Sequence, residues 1–434
     1  MGLAYLVFPT AEHSRFSHSI GVFATALDFF NRLRAKAENL TIDVPALQFN
    51  DESQRAFCAA AMCHDLGHTA FSHVLEKTLL PNGFSTHEDV SIELITKDVE
   101  LRDAIGAFTG DVDAVTLLID KQFDHPNLAL NTLISGPFDV DRADYLLRDS
   151  LATGVGYGVY DQSWLLHSTL VDVNESHQPM FMLDGPRGLD ALRQFLFARR
   201  YMYRNVYLHP TIRSSQLLLS RIFERISENI AGSQNTDANL IVKTPKGLRN
   251  YISGREISID DFKITTDTEV DYFVRLVAEE ACDPILRSIS TDFCRRKFPK
   301  CVIDSGRMHT SADITHRISS SETVQLSLLE DGPRTDGQIL DICREVVQKE
   351  FTRIGRDSEL ARYLVYFERP RDRNDDYETL KQMHLRFGND IVKLGDVNNR
   401  EAGYIPRSLT ESFELYRLFV PEECRALVLD ALRG

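Results

Sequence analysis

The chain has 434 residues, of which 43% are apolar, and this is enough for one large hydrophobic core and a second, smaller unit. Its 49 basic and 64 acidic residues give a net charge of −15, which excludes general binding to nucleic acid or to an anionic membrane. Any phosphate-bearing ligand must therefore meet a local basic pocket.

The seven cysteines are odd in number, scattered and without a C-x-x-C pair. We therefore expect a reducing, cytoplasmic compartment and no zinc knuckle. No apolar run approaches the roughly 20 residues that a membrane-spanning helix needs, so we expect no membrane partner. The apolar start, residues 1–9, lacks the basic leader of a signal peptide and predicts a strand or a buried segment.

Apolar side chains recur at three- and four-residue spacing over residues 17–39, which predicts an amphipathic helix with His18 in its first turn. Residues 40–51 predict a loop. A second helix is predicted over residues 52–64, where small side chains form the apolar face. Small side chains allow close packing, which suits a site buried between helices.

Residues 63–73, with the sequence CHDLGHTAFSH, hold the densest group of metal-ligand side chains in the chain. On a helix, adjacent His64 and Asp65 project about 100° apart and can flank one cation. Gly67 allows the chain to turn His68 back toward that cation. Each histidine alone is equally consistent with a solvated helix end, but the cluster as a whole predicts a metal site.

A capped helix is predicted from residue 85 to about residue 97, with His87 and Glu88 at its N-terminus. Backbone N–H groups at such an end favour anionic ligands. A purely structural role for Glu88 in the capping turn is equally consistent with the sequence.

Residues 138–149 predict another helix, for which Asp139 is a plausible cap. Asp141, Tyr145 and Asp149 are spaced at i, i+4 and i+8, which places two carboxylates and a phenol on one face. Charged helix faces are usually only solvated, but the histidine cluster needs a carboxylate partner from elsewhere in the chain.

The longest helical region is predicted over residues 188–231, with an interruption at Pro210. Its first half carries several arginines and phenols, among them Arg199 and Tyr207. Guanidinium groups beside phenols suit a ligand that joins phosphates to a sugar or base, and they equally suit an exposed interaction helix.

Beyond residue 232 the composition changes, and the polar residues 233–239 predict a linker. A helix is predicted over residues 336–353, and residues 368–377 predict an exposed loop. Short apolar stretches near the C-terminus predict strands. We divide the chain into a core, a helical extension and a smaller C-terminal α+β lobe, at residues 1–232, 233–304 and 305–434.

Five sequence blocks occur in a fixed order, and together they are more specific than any one of them. They are LAYLVFP at 3–9, RFSHSIGV at 15–22, CHDLGHTAFSH at 63–73, HE at 87–88 and DVDRADY at 139–145. This series resembles the deoxynucleoside triphosphate triphosphohydrolases, a group within the HD-domain phosphohydrolases. The resemblance covers about residues 3–215, and LYRLFVP at 415–421 is also similar. It implies a mainly α fold, with an HD-domain helical bundle and a C-terminal α+β lobe.

The resemblance also implies roles for individual residues. The metal ligands would be His18, His64, Asp65 and Asp141, and their mixed nitrogen and oxygen donors suit a divalent ion, namely Mn, Mg, Fe, Ni or Zn. Proton transfer and phosphate contact beside the metal would belong to His68 and to His87, with His87 oriented by Glu88.

Further residues would bind a deoxynucleoside triphosphate (dNTP), the implied substrate. The triphosphate would contact Arg15, His73, Arg142 and Arg199, and the deoxyribose would contact Tyr145, Asp149 and Tyr207. The implied reaction releases a deoxynucleoside and intact inorganic triphosphate. The resemblance further implies a homo-oligomer, either a dimer or a tetramer, and a possible regulatory nucleotide.

Proteins of this group carry a segment before the LAYLVFP block that contributes to sugar recognition and to a regulatory nucleotide site, and we expect this segment to be absent here, since that block lies at residues 3–9. We expect the metal site to be retained without it. We expect sugar selectivity and nucleotide activation to be altered.

Two other functions remain compatible with the same residues. One is an HD-type phosphodiesterase or nucleotidase that acts on nucleoside monophosphates or oligonucleotides, although the absence of a GYP signature argues against cyclic dinucleotides. The other is a nucleotide-binding regulatory protein with an inactive site. The presence of every metal-ligand position together with His68, His87 and Glu88 argues against this second alternative.

Overall fold

A computed structural model describes most of the chain: residues 2–37, 49–81, 83–120, 128–136, 138–173, 179–232, 238–305, 336–370, 380–396, 409 and 415–433. The mainly helical fold that the sequence predicts is confirmed. Three predicted segments lie wholly or partly outside the described residues, namely the loop at 40–51, the linker at 233–239 and the exposed loop at 368–377.

Helices make up most of the first half of the chain. They are α1 (Arg15–Ala37), α2 (Asp51–Cys63), α3 (Glu76–Leu79), α4 (His87–Lys97), α5 (Val99–Thr109), α6 (Val112–Asp120), α7 (Leu128–Ser135), α8 (Val140–Thr153), α9 (Gln162–Ser168), α10 (Gly185–Met202) and α11 (Pro210–Ala231). A five-residue π-helix, Tyr203–Tyr207, separates α10 from α11. Proline at the first position of α11 starts a new helix there, because it has no N–H to donate to the preceding turn.

Shorter helices and a few strands follow. The helices are α12 (Ala238–Lys243), α13 (Lys246–Ile252), α14 (Ile259–Lys263), α15 (Asp267–Glu280), α16 (Pro284–Cys294), α17 (Asp336–Arg353), α18 (Leu360–Leu364) and α19 (Arg425–Arg433). The strands are β1 (Thr169–Val173), β2 (Pro179–Asp184), β3 (Lys300–Asp304), β4 (Tyr366–Glu368), β5 (His384–Phe387), β6 (Asp390–Lys393) and β7 (Arg417–Val420).

Side-chain caps fix the starts of the helices that carry the predicted site. At α4, the hydroxyl of Thr86 accepts from the backbone N–H of Asp89, and the Asp89 carboxylate accepts from the backbone N–H of Thr86. At α8, Asp139 accepts from the backbone N–H of Arg142, as predicted. The helix ends at Gly154, whose φ of 73° is readily adopted only by glycine. These caps fix His87 as the first residue of α4 and Asp141 as the second residue of α8.

The strands form two sheets. In the first, the strand order is β1-β2-β5-β6, with β1 and β2 antiparallel and β2 and β5 parallel. Met182 lies opposite His384 in the parallel pair. In the second sheet the order is β3-β7-β4, and both pairs are antiparallel.

Buried apolar side chains form two main cores. The first lies between α1, α2, α8 and α10 and includes the fully buried Phe29 and Phe57. The second lies between α11, α15, α16 and α17 and includes the fully buried Phe273 and Phe351. Leu385 of β5 belongs to the first core, so the predicted C-terminal lobe contributes to both. The predicted boundaries at residues 232 and 304 stay a prediction.

The N-terminal segment forms a 3₁₀ helix, Gly2–Leu6, so its prediction as a strand is wrong. The alternative prediction of a buried segment is confirmed, since Leu3 packs in the second core and is 1% exposed. Across the described ranges, no helix combines the length and the apolarity that crossing a lipid bilayer requires.

Candidate active site

Three helices bring their first or last turns together at a group of metal-ligating atoms. His18 lies in the first turn of α1, His64 directly follows α2, and Asp141 lies in the first turn of α8. Donor atoms of these three residues all lie within 4.8 Å of one another. We call them the metal-ligand group. Asp141 Oδ1 is 3.0 Å from His18 Nε2 and 3.6 Å from His64 Nε2.

The outer nitrogen of each imidazole is already occupied. His18 Nδ1 donates to Asp144 Oδ2 at 2.7 Å, and His64 Nδ1 donates to the carbonyl oxygen of Ala61 at 2.8 Å. Both rings therefore direct Nε2 toward Asp141. His64 Nε2 is buried and makes no hydrogen bond among the described residues. A buried imidazole nitrogen without a hydrogen bond, beside a carboxylate and a second imidazole, fits a divalent transition metal.

Asp65, the fourth predicted ligand, lies beside this group rather than within it. Its Oδ2 accepts from Arg15 Nη1 at 2.7 Å. Its Oδ1 lies 3.3 Å from His64 Nε2 and 3.4 Å from His68 Nε2. The carboxylate therefore connects the metal-ligand group to a second cluster of imidazoles.

In the metal-ligand group, the neighbouring carboxylates raise the pKa values of the imidazoles, and the imidazoles lower the pKa of the Asp141 carboxyl. Burial lowers the pKa of His18, but hydrogen bonds with Asp141 and Asp144 outweigh it and raise this pKa to about 9. Burial likewise opposes the effect of the Asp65 and Asp141 charges on His64, whose pKa rises to about 10. The pKa of Asp141 is lowered, because the two imidazoles outweigh its burial.

A second set of donor atoms lies next to the metal-ligand group. It comprises His68, His73, Glu76 and His87, whose donor atoms also lie within 4.8 Å of one another, and we call it the imidazole cluster. The rings of His68 and His87 are stacked with centroids 3.8 Å apart. Glu76 accepts from Nδ1 of His73 and from Nδ1 of His87, each at 2.7 Å. Both oxygens of Glu76 thus orient imidazoles, which suits proton transfer.

Burial and hydrogen bonding set the charges in the imidazole cluster. Burial lowers the pKa of His68 to about 4, against the opposing effect of Asp65. His68 is therefore neutral at pH 7. Hydrogen bonds with His73 and His87 outweigh the burial of Glu76 and lower its pKa to about 2. Glu88, the predicted orienting residue, lies 3.4 Å from His87 Nε2, so the closer partner of His87 is Glu76.

Ser91 joins the segment after α2 to α4. Its hydroxyl accepts from the backbone N–H of Gly67 at 2.8 Å and lies 3.0 Å from the carbonyl oxygens of both His64 and His87. Ser91 is fully buried. A side chain at Gly67 would place Cβ 1.9 Å from the carbonyl oxygen of His87, so only glycine allows this approach. The contact fixes the separation between the segment after α2 and α4.

The predicted phosphate-binding residues differ in exposure. The side chains of Arg15 and His73 are 42% and 55% exposed, so both can meet an incoming anion. Arg142 donates to Asp139 and to the carbonyl oxygen of Gly136. Arg199 is buried, and its guanidinium lies 5.2 Å from the centre of the Tyr203 ring. Contacts of Arg142 and Arg199 with phosphate therefore stay predictions.

The predicted sugar-binding residues lie together. Tyr207, within the π-helix, donates to Asp149 Oδ2 at 2.8 Å, and its ring meets that of Tyr145 edge to face. His13 donates to the other oxygen of Asp149 at 2.7 Å. Burial raises the pKa values of Tyr145 and Tyr207, so both phenols are neutral.

Four residues that contact the site were missed by the sequence analysis. Two carried a usable signal, because Glu76 lies three residues after His73 and Asp144 lies three residues after Asp141, a spacing that places side chains on one helical face. Ser91 lies four residues after His87, but its other partners, Gly67 and His64, are distant in the chain, as is Asp149, the partner of His13.

Residues 15–149 match the family model of the HD domain. This range is therefore similar to HD domains, and we call it the HD domain. This range holds the metal-ligand group, the imidazole cluster and Arg15. HD domains bind a divalent metal ion, and the metal-ligand group is a set of side chains able to hold one.

The chain is also similar to longer proteins. The uncharacterized protein YwfO of Bacillus subtilis is 31% identical over 301 residues, which cover 68% of this chain and 61% of that protein. The deoxynucleoside triphosphate triphosphohydrolase SAMHD1 homolog of Dictyostelium discoideum is 28% identical over 233 residues, which cover 51% of this chain and 42% of that protein. The chain thus spans less than two thirds of the length of either relative.

A solved structure extends the likeness beyond the HD domain. The crystal structure of a phosphohydrolase from Bacteroides thetaiotaomicron superimposes on this chain with a TM-score of 0.71 and 21% identity. The superposition covers 97% of this chain and 91% of that one. The two proteins therefore share a fold along nearly their whole length.

Proposed function

We propose that the protein is a metal-dependent hydrolase that converts dNTPs to deoxynucleosides and inorganic triphosphate. The observation that carries this proposal is the position of Asp65, which connects the metal-ligand group to the imidazole cluster. A phosphate ester held at one group would therefore contact the other. The similarity to a relative named as a dNTP triphosphohydrolase supports the choice of substrate.

The metal-ligand group and Asp65 would hold one divalent ion. When bound, such an ion lowers the pKa of water and polarises a phosphoryl oxygen. His18 and His64 would supply neutral Nε2 atoms, each with its tautomer fixed by the hydrogen bond at Nδ1. Asp65 and Asp141 would supply negative charge.

The imidazole cluster would move protons. His68 is neutral at pH 7 and is buried next to Asp65, so it can accept a proton during the reaction. His87 lies at the N-terminus of α4, where backbone N–H groups favour a phosphate. Glu76 holds the His87 ring in place.

Exposed cations and partly buried phenols would hold the two ends of the substrate. Arg15 and His73 are the exposed positive or protonatable groups beside the metal-ligand group, and they would neutralise phosphate charge. Tyr145, Asp149 and Tyr207 would contact the deoxyribose, with His13 holding Asp149. The phosphoester oxygen would then lie between the exposed cations and the phenols.

The test is product analysis with the metal-loaded protein. Each dNTP and each ribonucleoside triphosphate is incubated with it, alongside monophosphate and oligonucleotide controls, and products are resolved by phosphorus NMR. Free tripolyphosphate is the expected product. Pyrophosphate or monophosphate as the product would replace this function with a nucleotidase or phosphodiesterase activity, and no product at all would indicate a binding protein.

Variants connect this activity to the site. His64→Ala and Asp65→Ala should each lose both bound metal and turnover. His167→Ala is the matched control, because His167 is an exposed histidine at the end of α9. Turnover that persists in His64→Ala would remove this site from consideration.

We also propose that the protein acts in the cytoplasm as a homo-oligomer, either a dimer or a tetramer, and that a nucleotide regulates it. Light scattering after size-exclusion chromatography, with and without added dNTP, measures the oligomeric state. A lag or a sigmoidal rate curve with increasing dNTP would indicate regulation by a nucleotide.

A further inference from the structure

A cavity of 390 Å³ lies in the second core, outside the HD domain. It is bounded by the C-terminal part of α11, by α15 and by the start of α16. None of the residues that line it belongs to the metal-ligand group or to the imidazole cluster. Its volume falls in the range of about 300 to 1,000 Å³ that is typical of small-molecule sites.

Most of the cavity wall is apolar. Ile226 and Ile285 line it from α11 and α16, and Phe273 lines it from α15. All three are at most 4% exposed, so their positions are fixed by packing on their outer sides. Ala281, 2% exposed, provides a small side chain at the turn between α15 and α16. The wall therefore suits an aromatic or aliphatic body.

One edge of the cavity is polar and is built around Asp283. Arg225 Nε donates to Asp283 Oδ2 at 2.6 Å, and Asn229 Nδ2 donates to the same oxygen at 2.8 Å. Asp283 Oδ1 caps α16 by accepting from the backbone N–H of Ile285. Asp283 thus balances the charge of Arg225 and leaves the guanidinium little capacity to bind an anion.

Two further carboxylates lie on this edge. Glu359 Oε1 accepts from Arg225 Nη1 at 3.2 Å and is 48% exposed. Asp357 also lines the cavity, and no ion pair of Asp357 is found among the described residues. The charged residues that line the cavity are therefore three carboxylates and one guanidinium, so its mouth carries excess negative charge.

We propose that this cavity binds a small organic cation, namely an ammonium group carried on an apolar body of aromatic size. The apolar wall takes the body, and the excess carboxylates at the mouth attract the ammonium group. Phosphate esters are disfavoured there by like charge, so the cavity does not serve as a second nucleotide site. The proposal is independent of the proposed function, because it uses none of the same residues.

A matched series of three probes tests it. Naphthylmethylamine, naphthylmethanol and naphthylacetate share one apolar body and differ in head-group charge. Binding is followed by naphthalene fluorescence anisotropy at pH 7. We expect the amine to bind most tightly, the alcohol less tightly, and the carboxylate about tenfold or more weaker than the amine. A carboxylate that binds as tightly as the amine, or an amine that does not bind at millimolar concentration, overturns the proposal.

Variants locate the binding. Ala281→Leu fills the cavity and should abolish binding of all three probes. The exposed double variant Asp357→Asn/Glu359→Gln should weaken the amine about threefold to tenfold and leave the alcohol unchanged, since solvent screening limits each exposed charge. It also keeps the test decisive if Ala281→Leu fails to fold. The control double variant Glu256→Gln/Asp260→Asn makes the same charge change away from the cavity. An equal effect of both double variants overturns the assignment.

Discussion

His18 and His64 reach Asp141 with the same atom but are held by different partners. Asp144 accepts from one ring, and a backbone carbonyl accepts from the other. Without metal, both imidazoles are protonated at pH 7, since their pKa values rise to about 9 and about 10. A metal ion must therefore displace protons in order to bind.

This displacement predicts strongly pH-dependent metal binding. Because a proton competes with the metal at each raised pKa, affinity should rise as pH rises and level off once both imidazoles are neutral. We expect the apparent association constant to rise by up to about 100-fold per pH unit between pH 6 and 8, with about two protons released per metal. Calorimetry in buffers of different ionisation enthalpy measures the proton count. His18→Asn should release about one proton fewer, and a pH-independent affinity between pH 7 and 8 would contradict the assignment.

Glu76 and Glu88 provide a matched pair in the imidazole cluster. Glu76→Gln removes the charge that holds His73 and His87, so we expect turnover to fall by about 10- to 100-fold with metal content unchanged. Glu88→Gln should have a smaller effect, because Glu88 is farther from His87. Steady-state rates and metal analysis of both variants test which of the two glutamates orients His87. A larger loss in Glu88→Gln would show that the contact of Glu88, rather than that of Glu76, orients His87.

The sequence predicted that His18, His64 and Asp141 come together, because they stand in ordered blocks. It did not predict which carboxylate holds which imidazole. Asp144 and Glu76 each lie three residues from a predicted site residue, but from the sequence either carboxylate is equally consistent with a solvated surface charge. Only the packing of α1 against α8 places Asp144 next to His18.

At the scale of elements, the site depends on how α4 is fixed against the end of α2. Ser91 on α4 contacts the backbone of both segments, and Gly67 allows α4 to approach. A shift of α4 would separate His87 from His68, because their rings are stacked across this contact.

Ser91→Ala should therefore lower the free energy of unfolding by more than the loss of one ordinary hydrogen bond would. It leaves the buried N–H of Gly67 without its partner, and we expect a loss of about 1–3 kcal/mol in the free energy of unfolding, with reduced turnover. Thr96→Val is the control on the same helix, because within the described part of the chain the Thr96 hydroxyl bonds only to α4 carbonyls one turn earlier. Urea unfolding and rates measure both. Equal effects in the two variants would show that Ser91 has no special role.

Periodicity located the helices well, since α1, α2 and α17 begin and end within two residues of their predicted bounds. For the apolar start, the predicted buried segment is confirmed, whereas the alternative of a strand is wrong, because Gly2–Leu6 forms a 3₁₀ helix. A short apolar run is equally compatible with a strand or a buried helical turn, and Leu3 is buried by partners far along the chain.

At the scale of the whole molecule, the first sheet joins distant parts of the chain. Strands β5 and β6 extend the sheet of β1 and β2, and Leu385 on β5 packs in the first core. Nothing local in the sequence indicates this pairing, because strand order is set by tertiary packing. The predicted C-terminal lobe is therefore structurally linked to the HD domain.

Leu385→Ala tests this link. The side chain is fully buried, so its loss should lower the free energy of unfolding by about 2–5 kcal/mol. Ile391→Ala on the neighbouring β6 is the control, because Ile391 is 40% exposed and should change the free energy by about 0.5 kcal/mol or less. Denaturant unfolding measures both changes. A small effect at Leu385 would show that β5 adds little to the first core.

The parallel pairing of β2 with β5 has a consequence for biosynthesis. Met182 pairs with His384, so β2 emerges from the ribosome about 200 residues before its partner. At roughly 5–20 residues per second, this strand waits about 10–40 s with one edge open. An open edge is a template for intermolecular pairing. Nascent chains are thus exposed to aggregation during this interval, and a chaperone that shields β2 would raise the yield of native protein.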